Sequence, residues 1–132
     1  MAAVRVILGV AVAILSGAAA FAHHSTAAYD QTKQMTLQGT VKKFAWTNPH
    51  MFIFLVVNTP DGPKQWTIEA GTPSVNVRNG WKPNSIKTGD KVTIVVSPAR
   101  SGTLDAQAVV VTLPDGTKLI APGGAVAGGP PS

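Results

Sequence analysis

Three histidines, at positions 23, 24 and 50, set the chemistry open to this chain. His23 and His24 follow Ala20-Phe21-Ala22, which fits the small-x-small pattern cut by a signal peptidase. Cleavage after Ala22 gives His23 a free α-amine. A terminal histidine can then offer one metal ion both that amine and its own imidazole. A second imidazole, from His50 or His24, completes a T-shaped set of three nitrogens, the arrangement of a copper histidine brace. Such ligands suit Cu(II), Ni(II) or Zn(II), and the affinity order favours Cu(II). Asp30 or water is a candidate for a fourth position. The plainer alternative makes His24 a solvated residue of a loose arm and His50 a loop-closing residue that hydrogen-bonds a neighbouring carbonyl.

This chemistry depends on processing. Arg5 forms a short basic region, Val6 to Leu15 an uncharged apolar run, and Ser16 to Ala22 a small-residue flank. Together they read as a signal peptide over residues 1–22. A cut after Ala20 also fits, because Ala18-Ala19-Ala20 has small residues at both key positions. Phe21 would then lead the chain and the brace would be lost. An uncleaved anchor is disfavoured: the stretch from Val6 to Ala22 includes Ser16 and Gly17 and falls short of the roughly 20 apolar residues that span a bilayer. No Arg-Arg pair marks a twin-arginine route, and the absence of cysteine excludes a lipobox and every disulfide. The expected location is the periplasm or the exterior, with no transmembrane helix after processing.

Removal of residues 1–22 leaves 110 residues, enough for one apolar core. It takes away one of the 11 basic residues and none of the six acidic ones, leaving a net charge of +4. That charge favours an anionic surface but is no nucleic-acid footprint. Residues 23–34 read as an N-terminal arm, 35–120 as the folded domain, and 121–132 as a flexible Gly/Pro/Ala tail unable to bury enough surface to order itself.

The elements that must position the histidines are strands. Met35, Leu37, Gly39 and Val41 alternate with polar residues, the period of a half-buried strand. Gly39 suggests a bend. Phe44 and Trp46 continue the apolar face one residue out of phase, which predicts a bulge near Lys42-Lys43. His50 to Asn58 is apolar on both faces and reads as a central strand. Thr59 to Pro63 is a turn, and Lys64 to Ala70 is the returning strand. Thr72-Pro73 opens a short helix that ends at Gly80, and Trp81 follows as an apolar plug. Lys91 to Pro98, Leu104 to Leu113 and Thr117 to Ile120 are three further strands. The order β-β-β-α-β-β plus a short last strand predicts an all-β fold with one short helix, a five- to six-stranded OB-like Greek-key barrel. A small β-sandwich is the alternative.

His23-His24-Ser25, Tyr29-Asp30, Trp46-Thr47-Asn48-Pro49-His50, Trp66 with Glu69, Gly80-Trp81, Gly89-Asp90 and Asp115-Gly116 together resemble a family of small exported bacterial proteins known only as a domain of unknown function. The resemblance covers nearly all of the chain after residue 22. It implies an exported all-β domain and no particular activity.

Other side chains point to binding rather than catalysis. Trp46, Phe52, Phe54 and Trp81 are candidate contact residues for a protein, glycan, envelope component or anionic surface; the alternative for each is packing. Placing Val57 opposite Trp66 sets Phe54 opposite Glu69 and leaves His50 about 13 Å further along. This register predicts that Glu69 is a rim charge partnered by Lys or Arg. No cysteine nucleophile, Ser/His/Asp spacing or Gly-rich phosphate loop is present. The expectation is a non-enzyme, with Cu(II) as the one cofactor candidate, no nucleic-acid partner and an oligomeric state the sequence leaves open.

Overall fold

The computed structural model describes residues 27–122. Residues 1–26, which include the expected signal peptide, His23 and His24, and residues 123–132 lie outside the described residues. β1 (Met35–Ala45) turns Leu37 and Val41 inward. A Cβ at position 39 would overlap the Val56 carbonyl oxygen and approach Leu55 Cγ to 2.9 Å, so only glycine lets β1 cross β2 this closely. The pairing runs Val41 to Leu55 and then Lys43 to Phe54, leaving Lys42 as the extra residue of a bulge. The phase shift between Val41 and Phe44 thus has the predicted cause.

β2 (Phe52–Thr59) and β3 (Gly62–Glu69) form a hairpin with Pro60-Asp61 as its two-residue loop. Gly62 takes φ +100°, and the Thr59 hydroxyl donates to the Gly62 carbonyl at 2.6 Å. The register differs from the expected one by two residues on the partner strand. Leu55 faces Trp66, and Phe52 rather than Phe54 faces Glu69. A slip of two preserves which residues point inward, so apolar alternation cannot detect it.

α1 (Pro73–Arg78) starts at Thr72 and is followed by Asn79 as its C-cap, with Gly80 at φ +86°. It lies between β3 and β4 (Lys91–Pro98), as expected. β5 (Asp105–Thr112) and β6 (Lys118–Ile120) complete the described strands. The sheet order is β3-β2-β1-β4-β5-β6, and a parallel β3–β5 pairing closes five strands into a barrel with β6 outside it. Helix position, order and closure make this an OB-like Greek-key barrel; closure removes the sandwich alternative. Ile53, Leu55, Ile68, Ile94, Val96 and Val111 fill the interior. Trp81 plugs it, 1% exposed, with its indole N–H donating to the Ile120 carbonyl at 2.8 Å. Among the described residues, no helix is long and apolar enough to cross a membrane.

Candidate functional site

His50 sits where the chain enters β2, after a cis Asn48-Pro49 bond. The Thr47 hydroxyl donates to the His50 carbonyl at 2.7 Å and folds the Thr47–His50 loop on itself. The next residue locks to the barrel. Met51 N–H donates to the Gly71 carbonyl, and Ala70 N–H donates to the Met51 carbonyl. These bonds extend the β2–β3 ladder to the base of His50 and fix where its side chain starts.

Glu69 is the last residue of β3 and pairs with Phe52. Paired residues share a face, and His50 lies two residues before Phe52 on that face. The two side chains meet: His50 Nδ1 is 2.8 Å from Glu69 Oε1. An ionised carboxylate only accepts, so Nδ1 carries the hydrogen and the lone pair of a neutral imidazole resides on Nε2. The His50 side chain is 26% exposed and that of Glu69 only 7%. The pair is therefore a buried anchor beneath a solvent-reachable imidazole edge. The expected Lys or Arg partner for Glu69 is replaced by histidine because of the hairpin register.

The other carboxylate oxygen also has a partner. Tyr29 O–H donates to Glu69 Oε2 at 2.9 Å. Burial, followed by the hydrogen bond to Glu69 and the negative charges of Glu69 and Asp105, raises the Tyr29 phenol well above its ordinary pKa. Tyr29 therefore stays a neutral donor. It is held from outside the barrel strands: Tyr29 bridges to Ala99, Asp30 N–H donates to the Pro98 carbonyl at 2.8 Å, and Arg100 Nε donates to the Ala27 carbonyl at 3.1 Å. Gln31 adds a donor contact to the buried Gln107 at 2.6 Å. Gln107 pairs with Glu69 across the β3–β5 seam. The arm thus docks over two polar side chains on the barrel's outer surface.

Tyr29 is the chain's single tyrosine, and the sequence marks it as part of a resemblance and of an N-terminal arm that could cover Phe52 and Phe54, not as a partner of Glu69. Its partnership with Glu69 joins positions on an arm and a distant strand, and nothing in local periodicity connects them. Asp30 does not join this group. Its Oδ1 accepts from the Thr32 amide and hydroxyl, and its Oδ2 lies 3.5 Å from Lys33 Nζ. Those Thr32 bonds, then Lys33, hold its carboxyl below the usual range. Among the described residues, no group of three or more His, Asp or Glu side chains forms a metal cluster. His50 is the one of the three histidines that the structure places.

The aromatic candidates fall in different surroundings. Trp81 is inside the core, while Trp46 is partly buried and meets Phe44 edge-on at 6.0 Å between ring centres. Phe52 and Phe54 are half-buried on the outer face of β2. Phe54 floors a shallow groove with Lys42, Lys43 and Gln65, in which Lys42 Nζ donates to Gln65 Oε1 at 3.0 Å.

A family model described as "Family of unknown function (DUF6152)" matches residues 11–108. No curated protein matches, and no solved structure matches.

Proposed function

For this chain, which belongs to that family of unknown function (DUF6152), we propose an exported, periplasmic metal-binding role with copper as the favoured ion. The ligands in this proposal are the α-amine and imidazole of His23, exposed by cleavage after Ala22, together with Nε2 of His50. The carrying observation is the 2.8 Å contact between His50 Nδ1 and Glu69. Metal-binding histidines commonly donate their second ring N–H to a carboxylate, which fixes the tautomer and raises the basicity of the ligating nitrogen. His50 has this support already, and its side chain keeps 26% of its surface exposed. Reach is no obstacle, since the segment from His23 to Tyr29 spans at most about 20 Å and Tyr29 touches the same carboxylate as His50. His24 is an alternative to His50. Asp30 is a weaker donor in this scheme, because its oxygens are engaged by Thr32 and Lys33.

The test is Cu(II) affinity of protein beginning at His23 against the same protein with one extra N-terminal residue. Loss of about tenfold or more is expected from blocking the amine chelate. Equal affinities would sink the proposal. Intact mass of the processed protein fixes the cut site and the metal stoichiometry together.

A second reading rests on the groove. Phe54 beneath Lys42 and Lys43 suits a non-catalytic binding module for an anionic envelope component or protein. Phe54→Ser would then lose partners from an envelope pull-down while keeping Cu(II) affinity, whereas Phe52 lies beside Glu69 rather than in the groove and Phe52→Ser would not separate the two readings. Unchanged recovery counts against this face.

A further inference from the structure

The bulge in β1 has a chemical result. A regular strand sends neighbouring side chains to opposite faces. Here Val41 and Phe44 both pack toward the core, and the two residues between them, Lys42 and Lys43, are both exposed. Both line one groove, with Phe54 of β2 and Gln65 of β3 as its other walls. The extra residue thus sets two adjacent ammonium groups beside one aromatic ring. We propose that this groove docks an anionic phospholipid at a membrane surface: Lys42 and Lys43 take the phosphate, and Phe54 takes the first methylene groups of an acyl chain. The inference rests on the binding-module reading above, names the partner of that site, and needs no metal.

Charge favours this occupant. None of the chain's six acidic residues lines the groove, and no described residue of the arm does. Lys42 gives one of its three hydrogens to Gln65 Oε1 at 3.0 Å and keeps two for a ligand. The backbone disfavours a peptide strand. β2 lies between β1 and β3, and Phe54 pairs with Lys43 on one side and Thr67 on the other. The groove floor therefore presents no free edge for strand addition, a main source of affinity for an extended peptide. What is left to recognise is a negative charge joined to an apolar body. The groove, about 350 Å³, has room for a headgroup and the top of a chain rather than for a folded segment. Lysine stems can lie along apolar surface while their ammonium groups reach anionic lipid.

The experiment uses protein lacking residues 1–22, because the apolar run from Val6 to Leu15 would bind a bilayer on its own. Every described residue is retained. The protein is sedimented with phosphatidylcholine vesicles made with and without phosphatidylglycerol. Binding is expected only where phosphatidylglycerol is present, and salt should weaken it. Lys42→Gln and Lys43→Gln should each lower the affinity about fivefold, the effect of one lysine near an anionic surface. Lys118→Gln on β6 makes the same change in net charge and should have little effect. Phe54→Ser should lower the affinity at constant charge, and Phe54→Leu should keep most of it, which separates an apolar contact from a folding defect. In the parent protein, nitroxide-labelled phosphatidylglycerol should broaden the amide signals of Lys42, Lys43 and Phe54 and leave that of Lys118 sharp. Equal losses from Lys43→Gln and Lys118→Gln would overturn the site by showing net charge alone. Equal binding to pure phosphatidylcholine would overturn it, as would binding that ignores Phe54→Ser. Capture of an envelope protein that needs Lys43 and Phe54, without vesicle binding, would overturn the lipid and leave the binding-module reading standing. If Phe54→Ser changes neither vesicle binding nor envelope capture, both fail.

Discussion

His50 Nδ1 lies 2.8 Å from Glu69 Oε1, across the end of the β2–β3 hairpin where Met51 closes the ladder against Ala70 and Gly71. A strand end, a hydrogen-bonded loop and a buried carboxylate together give the imidazole one position and one tautomer. That combination makes the site testable by single substitutions.

Glu69→Gln keeps the shape and an acceptor but removes the charge. If His50 ligates copper as proposed, Cu(II) affinity of protein beginning at His23 should fall by about 10- to 100-fold, the usual effect of losing a carboxylate behind a metal-binding histidine. Nitrogen chemical shifts of His50 should show a mixed tautomer, while circular dichroism stays that of the parent barrel. Unaltered shifts would mean that the carboxylate does not set the imidazole.

Gly39→Ala places a methyl group against the Val56 carbonyl and Leu55. Overpacking at such a contact costs about 1–3 kcal/mol. Urea unfolding should show a lower midpoint with an unchanged slope. A neutral effect would show that β1 can shift away from β2 at its bend.

Trp81→Ala empties the barrel's plug and should destabilise by about 3–5 kcal/mol. Trp81→Phe should cost less, since a ring remains but the Ile120 carbonyl loses its donor. Thermal unfolding of the pair ranks volume against the hydrogen bond.

The Asp115 carboxylate accepts from the Thr117 amide at 2.8 Å, and that bond holds its pKa below the ordinary value. A depressed carboxylate stabilises the fold above the unfolded-state pKa. The contribution is lost as pH falls through the lower native value. Asp115→Asn should therefore be less stable than the parent at neutral pH, and the gap should close on acidification below about pH 4. Denaturant midpoints measured across that range check it.

The barrel was largely readable before its coordinates, because its determinants are local. Alternation placed β1 and β4, Thr72-Pro73 and Gly80 bounded α1, and the phase shift between Val41 and Phe44 located the Lys42 bulge. The heart of the site was less readable. Glu69 meets His50 through a hairpin register that two-residue slips leave undetermined. Tyr29 meets Glu69 through tertiary docking of an arm that has no period of its own. His50 stood out by residue type, whereas the carboxylate and phenol that hold it depend on contacts across the fold.

β1 is shared between two neighbours, pairing with β4 from Met35 to Thr40 and with β2 from Thr40 to Ala45. This division has a kinetic meaning. The β2–β3 hairpin has a two-residue loop and can form early, whereas Met35 must find Val96 and Thr67 must find Asp105 across long stretches of chain. Non-local pairings of this kind put small β-barrels among the slower two-state folders, on the order of milliseconds to seconds. β1 is made before either partner, and its first half waits for the more distant one. The interval before β4 arrives is when this molecule exposes an unpaired strand edge, the condition in which chains associate with one another instead of closing on themselves.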